Sequence, residues 1–93
     1  MGNNRRQGQL KGPFSVNQEL YDLIKQDAAA DFETVQHLGI QCEKDNIVII
    51  NGTERMIGRT GIYELMNTEI SSIYFAQDVD LNTIIDYTIY IEE

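Results

Sequence analysis

The sequence predicts a mainly β fold: a small antiparallel sandwich or barrel of about six strands, with one N-terminal helix and an extended N-terminal arm. Three observations predict it. From Thr34 onward apolar and polar residues alternate with a period of two, the spacing of strands that bury one face. Short turn-forming stretches separate the runs, and Asn51-Gly52 between two apolar runs is the strongest of them, a signal for a two-residue type I′ hairpin. The gaps between runs are a few residues long, whereas a parallel crossover needs about a dozen, so the pairing should be an antiparallel meander or Greek key.

Residues 1–14 are expected as an extended basic arm outside a compact domain of residues 15–93. The first twelve residues hold Arg5, Arg6 and Lys11 without an acid, and Leu10 is their single aliphatic residue after Met1. Gly2, Gly8 and Gly12 add freedom, and such a segment has little to bury. From Ser15 the spacing changes: Val16, Leu20, Ile24 and Ala28 recur every four residues with Leu23 beside them, which predicts an amphipathic helix over about 16–28. Ser15 or Asn17 would cap it, with Ser15 and Gln18 as a weak capping box. Asp27 and Asp31 then lie at the end where the helix dipole disfavours a negative charge.

Strands are expected from about 34 to 91, at 34–42, 47–50, 53–57, 62–66, 70–76 and 83–91. In the first, Leu38, Ile40 and Cys42 form the buried row, against Val35, His37 and Gly39 on the other side. Gly58 and Gly61 break the chain at a turn that wants two permissive backbone positions. In the last, Ile85, Tyr87, Ile89 and Ile91 share one face and Asp86, Thr88 and Tyr90 the other. Apolar or aromatic side chains on both faces make that strand either central or covered by another chain.

With 93 residues there is room for one small core, and a single cysteine offers no intramolecular disulfide, so burial against neighbouring chains is an expectation. Seven basic against fifteen acidic residues give a net charge of −8. The split is uneven: the first twelve residues carry +3, and the remainder, with four basic and fifteen acidic residues, carries −11. Such a body argues against binding nucleic acid or an anionic membrane. No apolar run follows Arg5 and Arg6 to make a signal-peptide core, and none reaches the ~18 residues of a membrane span, so a non-secreted, non-membrane chain is expected. Arg6 stands where a myristoylation signal wants Ser or Thr, and Asn51-Gly52-Thr53 reads as a turn rather than a glycosylation site.

Chemistry finds little support, and no catalytic residue, metal or cofactor is expected. His37 is the single histidine and has no sequence-local nucleophile or metal partner. Glu43 beside Cys42 works against thiolate formation, and one Cys with one His cannot complete a four-ligand zinc site. Asp78, Asp80 and Asn82 fall at positions one, three and five of a calcium-hand loop with Asp86 at nine. That pattern fails at position six, Thr83 instead of Gly, and at twelve, Ile89 instead of Glu, so a polar inter-strand loop is expected. Gly58-Arg59-Thr60-Gly61 lacks the lysine and the following helix of a phosphate loop. The carboxylates Glu64, Glu69 and Asp86 are scattered, with no sequence feature that sets two of them around a cleft.

The string Ile49-Ile50-Asn51-Gly52-Thr53-Glu54-Arg55-Met56-Ile57-Gly58-Arg59-Thr60-Gly61-Ile62-Tyr63-Glu64-Leu65, with the later Ile84-Ile85-Asp86-Tyr87, resembles a segment of small virion structural proteins of tailed bacteriophages. The likeness covers roughly the C-terminal half. It implies a compact, non-enzymatic β-module on a head, neck, tail or fibre component, located in the virion, in which Asn51, Gly52, Gly58 and Gly61 shape turns. The partners it implies are other virion proteins and copies of the same chain. A basic arm on an acidic body suits such repetition, with Arg5, Arg6 and Lys11 docking one copy on the next or on another acidic virion surface. Deleting residues 2–12 should then abolish association and leave the melting transition in place. Two rival classes stand beside it. One is an acidic inhibitor or nucleic-acid mimic acting on a basic host enzyme through carboxylates such as Glu19, Asp22, Asp31, Glu33, Glu69, Asp78 and Asp80. The other is a small enzyme or ligand-binding barrel, for which no convergent polar cluster is visible.

Overall fold

Alternating runs and turn residues build two antiparallel sheets and one helix. The structure, a computed structural model, describes residues 5–58, 61–79 and 82–91. In chain order the elements are β1 (Arg5–Lys11), α1 (Leu20–Ala28), β2 (Thr34–Gln41), β3 (Asn46–Ile50), β4 (Thr53–Ile57), β5 (Ile62–Glu69), β6 (Ile73–Phe75) and β7 (Ile84–Tyr90). A four-stranded sheet has the order β1-β7-β2-β5 and a three-stranded sheet the order β4-β3-β6, with every pairing antiparallel. The mainly β expectation holds, and of its two forms the open pair of sheets is found, since no closed barrel forms.

The seventh strand comes from the segment expected as an arm. Arg5–Lys11 is extended, but it pairs along its whole length with β7, from Arg5 opposite Tyr90 to Lys11 opposite Ile84. The boundary at residue 14 is therefore corrected, because β1 belongs to the domain. A low aliphatic content does not prevent this: an edge strand can be held by backbone bonds, with one half-buried Leu10 against the core. Pairing also explains the two-faced last strand, since β7 lies between β1 and β2.

The helix begins four residues later than its spacing predicts. Asn17 sits in the left-handed region at φ 62°, and its N–H donates to the Phe75 carbonyl (3.1 Å) while the Val16 N–H donates to Asp78 Oδ1 (2.7 Å). Those donors serve β6 and the loop before β7, so 15–18 form a turn, closed by the Gln18 N–H on the Ser15 carbonyl. Glu19 replaces Ser15 and Asn17 as the cap: its carboxylate accepts from the Tyr21 N–H (3.4 Å), Ser72 Oγ (2.7 Å) and the Ile73 N–H (2.7 Å). One side chain thus starts α1 and anchors β6. Ala29, left-handed at φ 54°, ends the helix.

Leu20, Ile24 and Ala28 keep the predicted four-residue stripe and join buried residues of both sheets in one cluster, among them Phe32, Leu38, Ile40, Phe75, Ile85 and Ile89. Phe14 stacks on Phe75 at 6.2 Å between centroids. Leu38, Ile40 and Cys42 are buried as expected, but Val35 is buried with them. The cause is a bulge: Val35 opposes Ile89 and His37 opposes Thr88, leaving Gln36 unmatched and reversing the phase of the strand. β5 runs on through Asn67, at φ 48°, to Glu69, and β6 is confined to three residues.

Candidate functional site

Register places four rows of side chains on the outer face of the four-stranded sheet. They are Arg5, Gln7, Gln9 and Lys11 from β1; Tyr90, Thr88, Asp86 and Ile84 from β7; His37, Gly39 and Gln41 from β2; and Met66, Glu64 and Ile62 from β5. Two of the three predicted docking residues, Arg5 and Lys11, fall on this surface, which is polar with an apolar margin. Ile62 is 59% and Met66 58% exposed, both on the edge strand β5, and Tyr90 is exposed at the end of β7.

The three docking candidates separate. Arg5 points outward and donates to Gln36 Oε1 at 3.0 Å, so the bulge residue of β2 receives the first residue of β1. Arg6, one position on, points to the helix side and donates to the Ala28 carbonyl at the C-terminus of α1. A guanidinium there offsets the unfavourable position of Asp27 at the same helix end. Lys11 closes the strand on the outer face and is exposed.

Beneath β1 lies a tether that sequence reasoning missed. Tyr87, buried on the inner face of β7, donates its phenol O–H to Asp27 Oδ2 of α1 at 2.5 Å. Burial first, then the Asp27 carboxylate, holds the phenol well above the ordinary tyrosine range, opposed weakly by the Arg6 charge. The path crosses Gly8: a Cβ there would stand 2.5 Å from the Tyr87 oxygen and 2.9 Å from Asp27 Oδ2. Gly8 is therefore a space-saving residue in a paired strand, and its register with Tyr87 is the one feature that makes it so.

A second glycine works the same way on the outer face. A Cβ at Gly39 would meet His37 Cε1 at 3.2 Å, so the imidazole leans over this position toward Glu64, the cross-strand partner of Gly39. His37 Nε2 and Glu64 Oε2 are 3.2 Å apart, both partly exposed. The sequence treats these two residues separately, and only the β2–β5 register brings them together. His37 borders an open depression of about 260 Å³ that also touches Arg5, Arg6, Gln36 and Met66.

The turn residues hold the sheets to each other. Asn51 and Gly52, at φ 52° and 80°, occupy the two central positions of the predicted type I′ turn between β3 and β4. The Asn51 side chain then reaches the β5–β6 connection: Nδ2 donates to the Glu69 carbonyl (2.8 Å), and Oδ1 accepts from the Ser71 N–H (2.7 Å) and Oγ (3.0 Å). Gly61 donates to the Gly58 carbonyl at 3.1 Å, which is a turn, but neither glycine is left-handed, so the expected need for permissive φ is corrected. Arg59 and Thr60 of that stretch lie outside the described residues.

Asp78 braces the chain before α1 through the Val16 N–H, and Asp80 of the supposed calcium pattern lies outside the described residues. Among the described residues no three His, Cys, Asp or Glu side chains are grouped to hold a metal ion. No helix among them is long and apolar enough to cross a membrane. Cys42 is buried in the core.

Fold and surface together define a two-sheet β-module with a helix against its inner side and an open, partly apolar outer sheet face. Compared with family models, curated proteins and solved structures, the chain matches none.

Proposed function

We propose that this chain is a non-enzymatic structural or assembly protein of a tailed-bacteriophage virion, a small β-domain that docks in multiple copies on a head, neck or tail component. The observation that carries it is the margin of the outer sheet face: Ile62 and Met66 are more than half exposed on an edge strand, next to polar side chains engaged in Gln9–Asp86 (2.8 Å) and His37–Glu64 contacts. Apolar anchors on a preorganised polar surface suit protein–protein contact, because little ordering cost is left to meet on binding. The resemblance of residues 49–65 and 84–87 to small virion proteins supports the same reading. The docking role expected of Arg5, Arg6 and Lys11 narrows to Arg5 and Lys11, since Arg6 is engaged with α1.

Mass spectrometry of density-banded particles from cultures that encode the chain tests this. A fixed copy ratio to the other virion components is the expected result, and absence from washed particles overturns it. If the chain instead leaves the lysate bound to a nuclease or polymerase, the acidic-mimic class, which the −11 body favours, takes its place.

A further inference from the structure

We infer that copies of this chain join head to tail by continuing the four-stranded sheet, with β5 of one copy pairing with β1 of the next. The inference rests on the multi-copy reading above and names its interface. Both strands are edges of one sheet, and they match in length, seven residues for β1 and eight for β5. Among the described residues, the strand pairings of β5 are all with β2 and those of β1 all with β7, so no strand lies against the far side of either, and of the β5 carbonyls there Glu69 is bonded to the Asn51 side chain.

Strand direction favours this joint. All three neighbouring pairs in the sheet are antiparallel, so an even number of alternating strands leaves β1 and β5 running in opposite directions. A second copy shifted along the sheet without being turned over therefore offers its β1 antiparallel to β5. Its outer face also stays an outer face.

Charge selects the same joint and rejects the others. β1 carries Arg5, Arg6 and Lys11 without an acid, and β5 carries Glu64 and Glu69 without a base. Two β1 edges paired about a two-fold axis at Gly8 set Arg5 opposite Lys11, and two β5 edges bring the carboxylates of both copies onto one seam. Only the mixed pair is complementary, and a mixed pair is heterologous: it propagates instead of stopping at a dimer. The stems of Lys11, Gln9 and Arg5 would cover the exposed Ile62 and Met66. The twist accumulated across each copy turns the next, so the row closes as a ring or winds as a filament.

Light scattering across a roughly hundredfold range of protein concentration tests the joint. The wild-type mass should climb past two copies and fall back at high salt, because the seam is electrostatic. Glu64→Lys with Glu69→Lys, or Arg5→Glu with Lys11→Glu, should each weaken association about tenfold or more, and mixing the two variants in equal amounts should restore the growing row, with the variants alternating. Glu64→Gln with Glu69→Gln serves if a reversal fails to fold. Amide exchange gives an independent reading: residues 62–68 should become slower to exchange as concentration rises. A monomer at every concentration, a closed dimer, or association indifferent to both reversals overturns the inference. A monomeric chain that still occurs in particles would sink this joint and leave the virion reading standing. A charge-dependent row that never enters particles would do the reverse.

Discussion

The two sheets are assembled from opposite kinds of contact. In the three-stranded sheet, β3 and β4 are joined by the two residues Asn51 and Gly52, and the pairing follows from the turn. In the four-stranded sheet no two neighbours are consecutive in the chain: β7 takes β1 on one side and β2 on the other, and β2 takes β5. The hairpin of the first is encoded in a dipeptide, and β6 joins it from farther along the chain. The second has to overcome long loop closures, and it does so with side chains that span elements: Gly8 making room for Tyr87 and Asp27, Arg6 on the end of α1, and Gly39 making room for the His37 ring that meets Glu64. Damage to the long-range sheet should therefore spread, and damage to the hairpin should stay local.

Deleting residues 2–12 should have the largest effect. If β1 were an arm, melting would be unchanged; as an edge strand its loss exposes β7 and uncovers the tether, removing roughly several kcal/mol of the 5–15 kcal/mol typical of a small domain. Loss of the cooperative transition in circular dichroism is the expected outcome, and an unshifted midpoint would return β1 to the status of an arm. Next comes Leu38→Ala, fully buried in β2, with a cost of about 3 kcal/mol in urea unfolding from lost burial and the cavity left behind.

Gly8→Ala should cost about 2 kcal/mol, far more than an exposed edge position allows, because the new methyl group collides with the Tyr87 ring and the Asp27 carboxylate. A neutral result would mean that the tether does not form. On the hairpin side, Asn51→Ala loses a left-handed residue and its bonds to the Glu69 and Ser71 backbone, about 1–2 kcal/mol. Its loss should quicken amide exchange in β3, β4 and β6 and leave β1 and β7 unchanged.

The smallest effect is a pH dependence confined to the long-range sheet. The folded Tyr87 phenol holds its proton above the ordinary value near 10, so the native state keeps a proton that the unfolded chain gives up. Its contribution is complete below pH 10 and declines as pH rises toward the folded value, reaching a loss of roughly 1 kcal/mol half a unit above pH 10. Tyr87→Phe should flatten that part of the alkaline stability curve. An unchanged slope would show that neither burial nor Asp27 raises the phenol.

Much of the local structure was legible in the residues. Period-two runs located β2 through β7, Asn51-Gly52 specified its turn, the stripe of Leu20, Ile24 and Ala28 marked the buried side of α1, and the alternation of β7 was read on both faces. Misses occurred where a distant partner intervened. The helix start moved because β6 and Asp78 took the N–H groups of Asn17 and Val16, and Val35 joined the core because β7 forced a bulge at Gln36. His37 and Glu64 were each visible as side chains, but no signal within either strand announces their meeting over Gly39.

By itself, then, the sequence determined what neighbours in the chain can decide: which residues alternate, where the backbone must turn left-handed, and that positive charge gathers at one end of an acidic chain. The tertiary structure alone decided that this basic end is a strand of the domain, that Gly8 is needed for the space it leaves, and that the charges of β1 and β5 stand on opposite edges of one sheet. The physical reason is range. Turn and periodicity preferences act over a few residues, whereas register and edge position follow from pairings across most of the chain, where a one-residue bulge or a missing Cβ changes which side chains meet.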